Sequence, residues 1–188
     1  MNRFILAALV SVLSLGSAPA LSQDTGFYAG ASFGQTKIKD FDCTGTTSCD
    51  DKDTGMSIFG GYQFTKNFAV EGGYTDLGKA SQSAGGLSAS FEASGFEISA
   101  VGIFPINPQW SVYGKLGMFM WDLDVKTNFG GNLSEDGTDL TYGIGVRWSF
   151  AKNLAAQLQW QRYKDIGDDA TTGKSDVDML SVGLLFRF

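Results

Sequence analysis

The feature that most restricts what this chain can fold into is a two-residue alternation that recurs in eight segments. Each segment has one bulky apolar face and one face of small or polar residues, the pattern of a strand whose two sides meet different surroundings. The first, residues 26–38, sets Phe27, Ala29, Ala31 and Phe33 against Gly30, Ser32, Gly34 and Thr36. The second sets Met56, Ile58, Tyr62 and Phe64 against Ser57, Gly61 and Gln63, and the third sets Phe68, Val70 and Tyr74 against Glu71, Gly73 and Thr75. Phe96, Ile98, Ala100 and Phe104 oppose Glu97 and Ser99, while Trp110, Val112, Leu116, Met118 and Met120 oppose Ser111, Tyr113, Lys115 and Gly117. Leu140 to Phe150, Leu154 to Trp160 and the closing stretch LSVGLLFRF repeat the scheme, the last with Leu180, Val182, Leu184, Phe186 and Phe188 on one parity.

A soluble barrel or sandwich also alternates, but it turns its apolar face inward and its charge outward. Here the non-apolar face holds Gly, Ser and Gln with a few isolated charges. Such a face is too small and too sparsely charged for a solvated exterior, and it suits the packed interior of a barrel of about eight strands. Trp148, Phe150, Phe27 and Phe188 lie toward segment ends, where a membrane barrel carries its aromatic girdles. The connections at 65–67, 105–109 and 151–153 are short, whereas those around 39–54, 78–93, 122–139 and 164–176 are long and polar. Short turns on one side, long loops on the other and an even strand number define an all-β fold, an eight-stranded antiparallel transmembrane β-barrel. Leu180–Phe188 is then expected to close against the first strand, because an open edge is not tolerated in lipid.

Residues 1–22 have a basic start at Arg3, an apolar run from about Phe4 to Leu15 and small residues at Ala18-Pro19-Ala20. That is the pattern of a cleaved secretory signal, leaving 23–188 as one barrel domain. The net charge of −6 offers no electrostatic footprint for nucleic acid. Histidine is absent, which removes the usual general base and the commonest transition-metal ligand. No enzyme activity, cofactor or metal site is expected. An exported chain passes an oxidising compartment, so Cys43 and Cys49 are expected to form a disulfide in the first long loop.

The inward charges are Glu71, Glu97, Lys115 and Arg147, with Arg187 near the end. Buried ions need partners, so Glu71 or Glu97 is expected to pair across the lumen with Lys115 or Arg147, as a static plug or as a gate. The loops are acidic: residues 39–54 and 164–178 each carry two Lys against five Asp, and 122–139 carries one Lys against five acids. A solvated outer surface is the leading reading of these clusters, and a weak divalent-cation site the other.

The segments FGGYQF, FAVEGGYTDLG, VYGKLGMFMW, GIGVRW, IGD and LSVGLLFRF, in order along the mature chain, resemble the transmembrane domain of the outer membrane protein A family. The resemblance implies a barrel in the Gram-negative outer membrane, surrounded by lipid and lipopolysaccharide. It also implies a C-terminal signal, Phe188 preceded by Phe186 and Leu184, read by the outer-membrane assembly machinery. Of the family's interior ion-pair cluster, Glu71, Lys115 and Arg147 match in position, while Val101 and Gln157 stand where basic residues would be expected. No counterpart of the family's periplasmic peptidoglycan-binding domain follows Phe188 in this sequence. The function expected is that of a monomeric structural and surface-interaction barrel presenting four long loops to an unidentified extracellular ligand. A small, low-conductance porin with an ion-paired lumen is the alternative.

Overall fold

The computed structural model describes residues 25–39, 48–50, 52–84, 87–127, 132–167 and 174–188. The signal segment and Cys43 lie outside these residues, and of Cys49 only the backbone is described, so the expected disulfide falls outside them as well. Among the described residues nine strands follow in chain order: β1 (Gly26–Ile38), β2 (Ser48–Asp50), β3 (Lys52–Thr65), β4 (Phe68–Ala84), β5 (Leu87–Pro105), β6 (Trp110–Thr127), β7 (Asn132–Ser149), β8 (Leu154–Ile166) and β9 (Ser175–Arg187). All pair antiparallel with their neighbours, and β4–β5 joins the two ends of the sheet order, so eight long strands close a barrel. The short β2 adds to the loop end of β4 through Cys49↔Gln82.

The seam is made as the alternation predicts. β1 pairs with β9 from Tyr28↔Arg187 to Ile38↔Val177, and Phe188 N donates to Phe27 O at 3.0 Å. Both termini of the described barrel therefore share the end with the short turns. Every strand backbone finds a neighbour, which is what a lipid surround demands.

The faces are inverted relative to a soluble protein. Phe27, Phe33, Met56, Ile58, Phe96, Leu116, Ile144 and Leu184 point outward and exposed, while Glu71, Ser99, Thr141, Arg147 and Gln161 are buried inside. An exposed apolar band of this extent on each of the eight long strands is stable against acyl chains and not against water. At its turn end the band is rimmed by packed rings: Phe27 with Tyr62, Tyr62 with Phe64, Trp110 stacked on Trp148, Trp148 with Phe150, and Phe186 with Phe188. Tyr74 with Phe96 and Tyr142 with Trp160 lie nearer the loop end.

The described residues of two stretches expected as loops, 78–93 and 122–139, instead continue as paired strand. Lys79↔Glu92 to Ala84↔Leu87 extend β4–β5, and Asp122↔Asp136 to Lys126↔Asn132 extend β6–β7. The physical reason is a switch of parity. Along β6, Met118 and Met120 face out, but Trp121 and Leu123 face in while Asp122 is exposed. On β9, Val177 and Met179 are buried and Leu180 and Val182 are exposed. Above the lipid the outer solvent is water, so the barrel wall reverts to apolar-in and polar-out. On β4, β6, β8 and β9 the change falls at Asp76, Asp122, Arg162 and Asp178, and it marks the upper limit of the apolar band.

At that limit Arg162 grips Asp178 with two bonds, Nε to Oδ1 at 2.6 Å and Nη2 to Oδ2 at 2.9 Å. Hydrogen bonding from Arg162 outweighs the opposing effect of burial and, with the lesser help of the Arg162 and Lys39 charges, holds the Asp178 carboxyl below its usual value of 3.8. A depressed folded value contributes stability that is present above the unfolded value and is lost as pH falls through the folded one. The Asp178 side-chain carbon followed by NMR is thus expected to titrate below pH 3.8 in the parent protein and to move upward in Arg162→Gln. An unchanged titration in that variant would mean that the pair is broken in solution.

Candidate functional site

The four inward charges come from four consecutive strands, β4 to β7. Glu71 lies on β4, Glu97 on β5 and Lys115 on β6, with the register Glu71↔Ser99 and Ser99↔Gly117 placing a glycine on β6 level with Glu71. The room left by that glycine is taken by Ser99, whose Cα would lie 2.8 Å from an added Cβ, and Lys115 reaches the acids from one inward position nearer the turns. Lys115 Nζ lies 2.8 Å from Glu71 Oε1 and 2.9 Å from Glu97 Oε1. One ammonium thus serves two carboxylates in the middle of the barrel.

The remaining carboxylate oxygens are also satisfied. Tyr28 OH on β1 donates to Glu71 Oε2 at 2.9 Å, and Gln161 Nε2 on β8 donates to Glu97 Oε2 at 2.7 Å. Ser99 Oγ makes a short bond to Glu97 Oε1. Gln161 Nε2 also reaches Thr141 Oγ1 at 2.8 Å, Gln159 Nε2 donates to Gln161 Oε1, and Tyr113 OH donates to Gln159 Oε1 at 2.8 Å. The result is a network across the lumen from Tyr113 through Gln159, Gln161, Glu97, Lys115 and Glu71 to Tyr28. Buried ions held this way are costly to disturb, because each lost partner leaves a charge that nothing else solvates.

Arg147 behaves differently from the expectation that it would pair with an acid. Its guanidinium, 1% exposed, donates from Nη2 to Gln157 Oε1 at 3.3 Å and lies 4.9 Å from the Tyr113 ring centre and 5.7 Å from that of Tyr28. Lys115, sited between the two acids, takes the place expected of it. The aromatic rings separate Arg147 from the triad, since both phenol hydroxyls are engaged with the network. Of the C-terminal residues, Phe188, Phe186 and Leu184 all face outward on the apolar band.

Two apolar clusters sandwich the network, and neither was anticipated from the alternation. At the loop end Leu77, Phe119, Trp121, Leu123, Tyr163, Ile166, Val177 and Met179 fill the interior, with the Phe119 and Tyr163 rings 4.6 Å apart. At the turn end Phe59, Ala69, Val101, Ile103, Ala155 and Leu185 pack around Tyr28 and Tyr113. The signal was present as apolar residues on the polar parity, such as Phe59, Val101, Phe119 and Trp121. Among the described residues, no group of three or more acids, cysteines or histidines is placed to hold a metal ion.

A closed eight-stranded barrel with an apolar exterior and a filled, ion-paired interior defines a small outer-membrane β-barrel protein. Residues 22–188 match the model of the OmpA-like transmembrane domain, and the chain belongs to that family. It is 30% identical to outer membrane protein A of Klebsiella pneumoniae over 191 residues, which is 95% of this chain and 54% of that protein. With outer membrane protein A of Salmonella typhi it shares 29% over 198 residues, covering 100% of this chain and 56% of the relative. The chain therefore spans about half the length of these curated relatives. Among solved structures, Neisserial surface protein A superposes with a TM-score of 0.64 at 18% identity, over 87% of this chain and 97% of that one. Ail, the attachment invasion locus protein of Yersinia pestis, was crystallised with the heparin analogue sucrose octasulfate. It superposes at 0.59 with 18% identity, over 88% and 99% of the two chains. The protein is a barrel of the Gram-negative outer membrane.

Proposed function

We propose that this chain is a plugged structural barrel whose work is done by the loops it presents at the cell surface. The observation that supports this reading is the layered filling of the lumen. Two apolar clusters close the interior on either side of the Glu71–Lys115–Glu97 network, and a narrow barrel filled by side chains leaves no continuous wet path. The acidic character of 39–54, 122–139 and 164–178 favours a cationic partner surface over polyanions of the kind bound by Ail. The outward Phe188, Phe186 and Leu184 fit a role in assembly, and bulk lipid and lipopolysaccharide surround the wall.

A second reading, a low-conductance porin, draws on one observation: Lys115 is divided between two carboxylates at nearly equal distance. Such a cation can favour one acid or the other, and interior charges set selectivity where a barrel conducts. The two readings separate in a planar bilayer. Protein refolded as residues 23–188, and shown to be folded by heat-dependent gel mobility, is expected to give no discrete openings. Reproducible openings whose conductance shifts with Glu71→Gln would overturn the plugged reading in favour of the pore.

A further inference from the structure

The turn-end half of the lumen holds a cation without a protein anion. Arg147 is buried beside the rings of Tyr28 and Tyr113, which belong to the turn-end apolar cluster, and among the described residues no protein atom accepts from its Nε or Nη1. Its one hydrogen bond, to Gln157 Oε1, is long at 3.3 Å. From Arg147 to the turns, the inward-facing described strand residues include no Asp or Glu, and Arg187, which also faces inward there, is basic. A guanidinium carries five donors in one plane, and leaving buried donors unmet costs far more than pairing them returns.

The surroundings are built rather than incidental. A Cβ at Gly145 would come within 2.5 Å of the Tyr113 ring, and one at Gly61 within 2.6 Å of Tyr28. These two glycines make room for the rings that flank the guanidinium carbon. Both tyrosine hydroxyls are committed elsewhere, Tyr28 to Glu71 and Tyr113 to Gln159. The rings thus stand between the cation and the network, and its free N–H groups are left to a small ligand enclosed with it as the barrel closes.

We propose that Arg147 holds a small inorganic anion of the halide class inside the barrel, on the periplasmic side of the ion-pair network. The low-polarity walls favour a monovalent, weakly hydrated ion over phosphate or sulfate, whose desolvation is much more costly. Such a site acts as an internal counter-ion: it completes the hydrogen bonding of Arg147 and locks the β7–β8 wall through Gln157. It does not depend on whether the lumen conducts or what the loops bind.

The test uses the refolded protein in detergent micelles, unfolded by urea in sodium gluconate or in sodium bromide at equal ionic strength. The folded-to-unfolded ratio is expected to rise about tenfold once bromide exceeds its dissociation constant tenfold. Arg147→Met, similar in bulk and without charge, is expected to lose that response. No bromide response in the parent, or an equal response in Arg147→Met, overturns the proposal. Should the variant not fold, crystals of the parent grown in bromide decide the matter by anomalous scattering. A peak within hydrogen-bonding distance of Arg147 Nε or Nη1 supports the site, and a flat map there overturns it.

Discussion

Replacing Lys115 with methionine is expected to destabilise the barrel by about 3–5 kcal/mol, because it leaves uncompensated charges buried. The ammonium stands 2.8 Å from Glu71 and 2.9 Å from Glu97. Without it, two carboxylates face each other between apolar clusters, and their remaining donors, Tyr28, Ser99 and Gln161, are neutral. Attraction then becomes repulsion at a site with little water to screen it. The loss belongs to the stranded acids and not to the methylene stem, which methionine largely replaces. Adding Glu71→Gln and Glu97→Gln to Lys115→Met is therefore expected to recover most of the stability. Both amides keep an oxygen to accept from Tyr28 and from Gln161. Equilibrium unfolding by urea in lipid vesicles gives the comparison. A single variant within about 0.5 kcal/mol of the parent would show that the lumen is wet enough to solvate the acids, and would revive the pore reading.

How far such a site can be read in advance depends on what alternation encodes. Period two assigns a face to each residue, and it placed Glu71, Glu97, Lys115 and Arg147 inside correctly. It carries no information on which inward residues meet across the lumen. The meeting of Glu71 with Lys115 depends on the register that sets Glu71 level with Ser99 and Ser99 level with Gly117, one inward position from Lys115, and alternation does not encode register. The same limit explains Arg147, whose expected carboxylate is taken by Lys115 and whose neighbours are Gln157 and two tyrosine rings. The polar stretches at 78–93 and 122–139 read as loops because the apolar-out rule of a lipid-facing wall does not hold along them. Trp121 and Leu123 on the inward parity mark the point where lipid gives way to water, and from there the opposite rule holds.

Gly34→Ala is expected to cost more than about 3 kcal/mol, at or beyond the upper end of ordinary overpacking. Gly34 faces the lumen on β1 opposite Ser181 of β9, at the seam that closes the barrel. A Cβ there would lie 2.5 Å from Ser181 Cα and 2.7 Å from Leu180 C, and closer still to the Leu180 carbonyl oxygen. These are backbone atoms, so no side-chain rotation relieves the overlap and the two strands must separate. Separation breaks ladder bonds flanking Phe33↔Val182 and Gln35↔Leu180, and backbone groups opened toward lipid have no water to turn to. The control is the same change at Gly102, where an added Cβ meets nothing within 4 Å. Gly102→Ala is expected to fall within about 0.5 kcal/mol of the parent, or slightly above it through the stiffer unfolded chain. Heat-dependent gel mobility and urea unfolding of the two variants, measured side by side, isolate the seam. Equal stability in both would show that β1 and β9 are further apart than the register implies, and that closure does not rest on a glycine at residue 34.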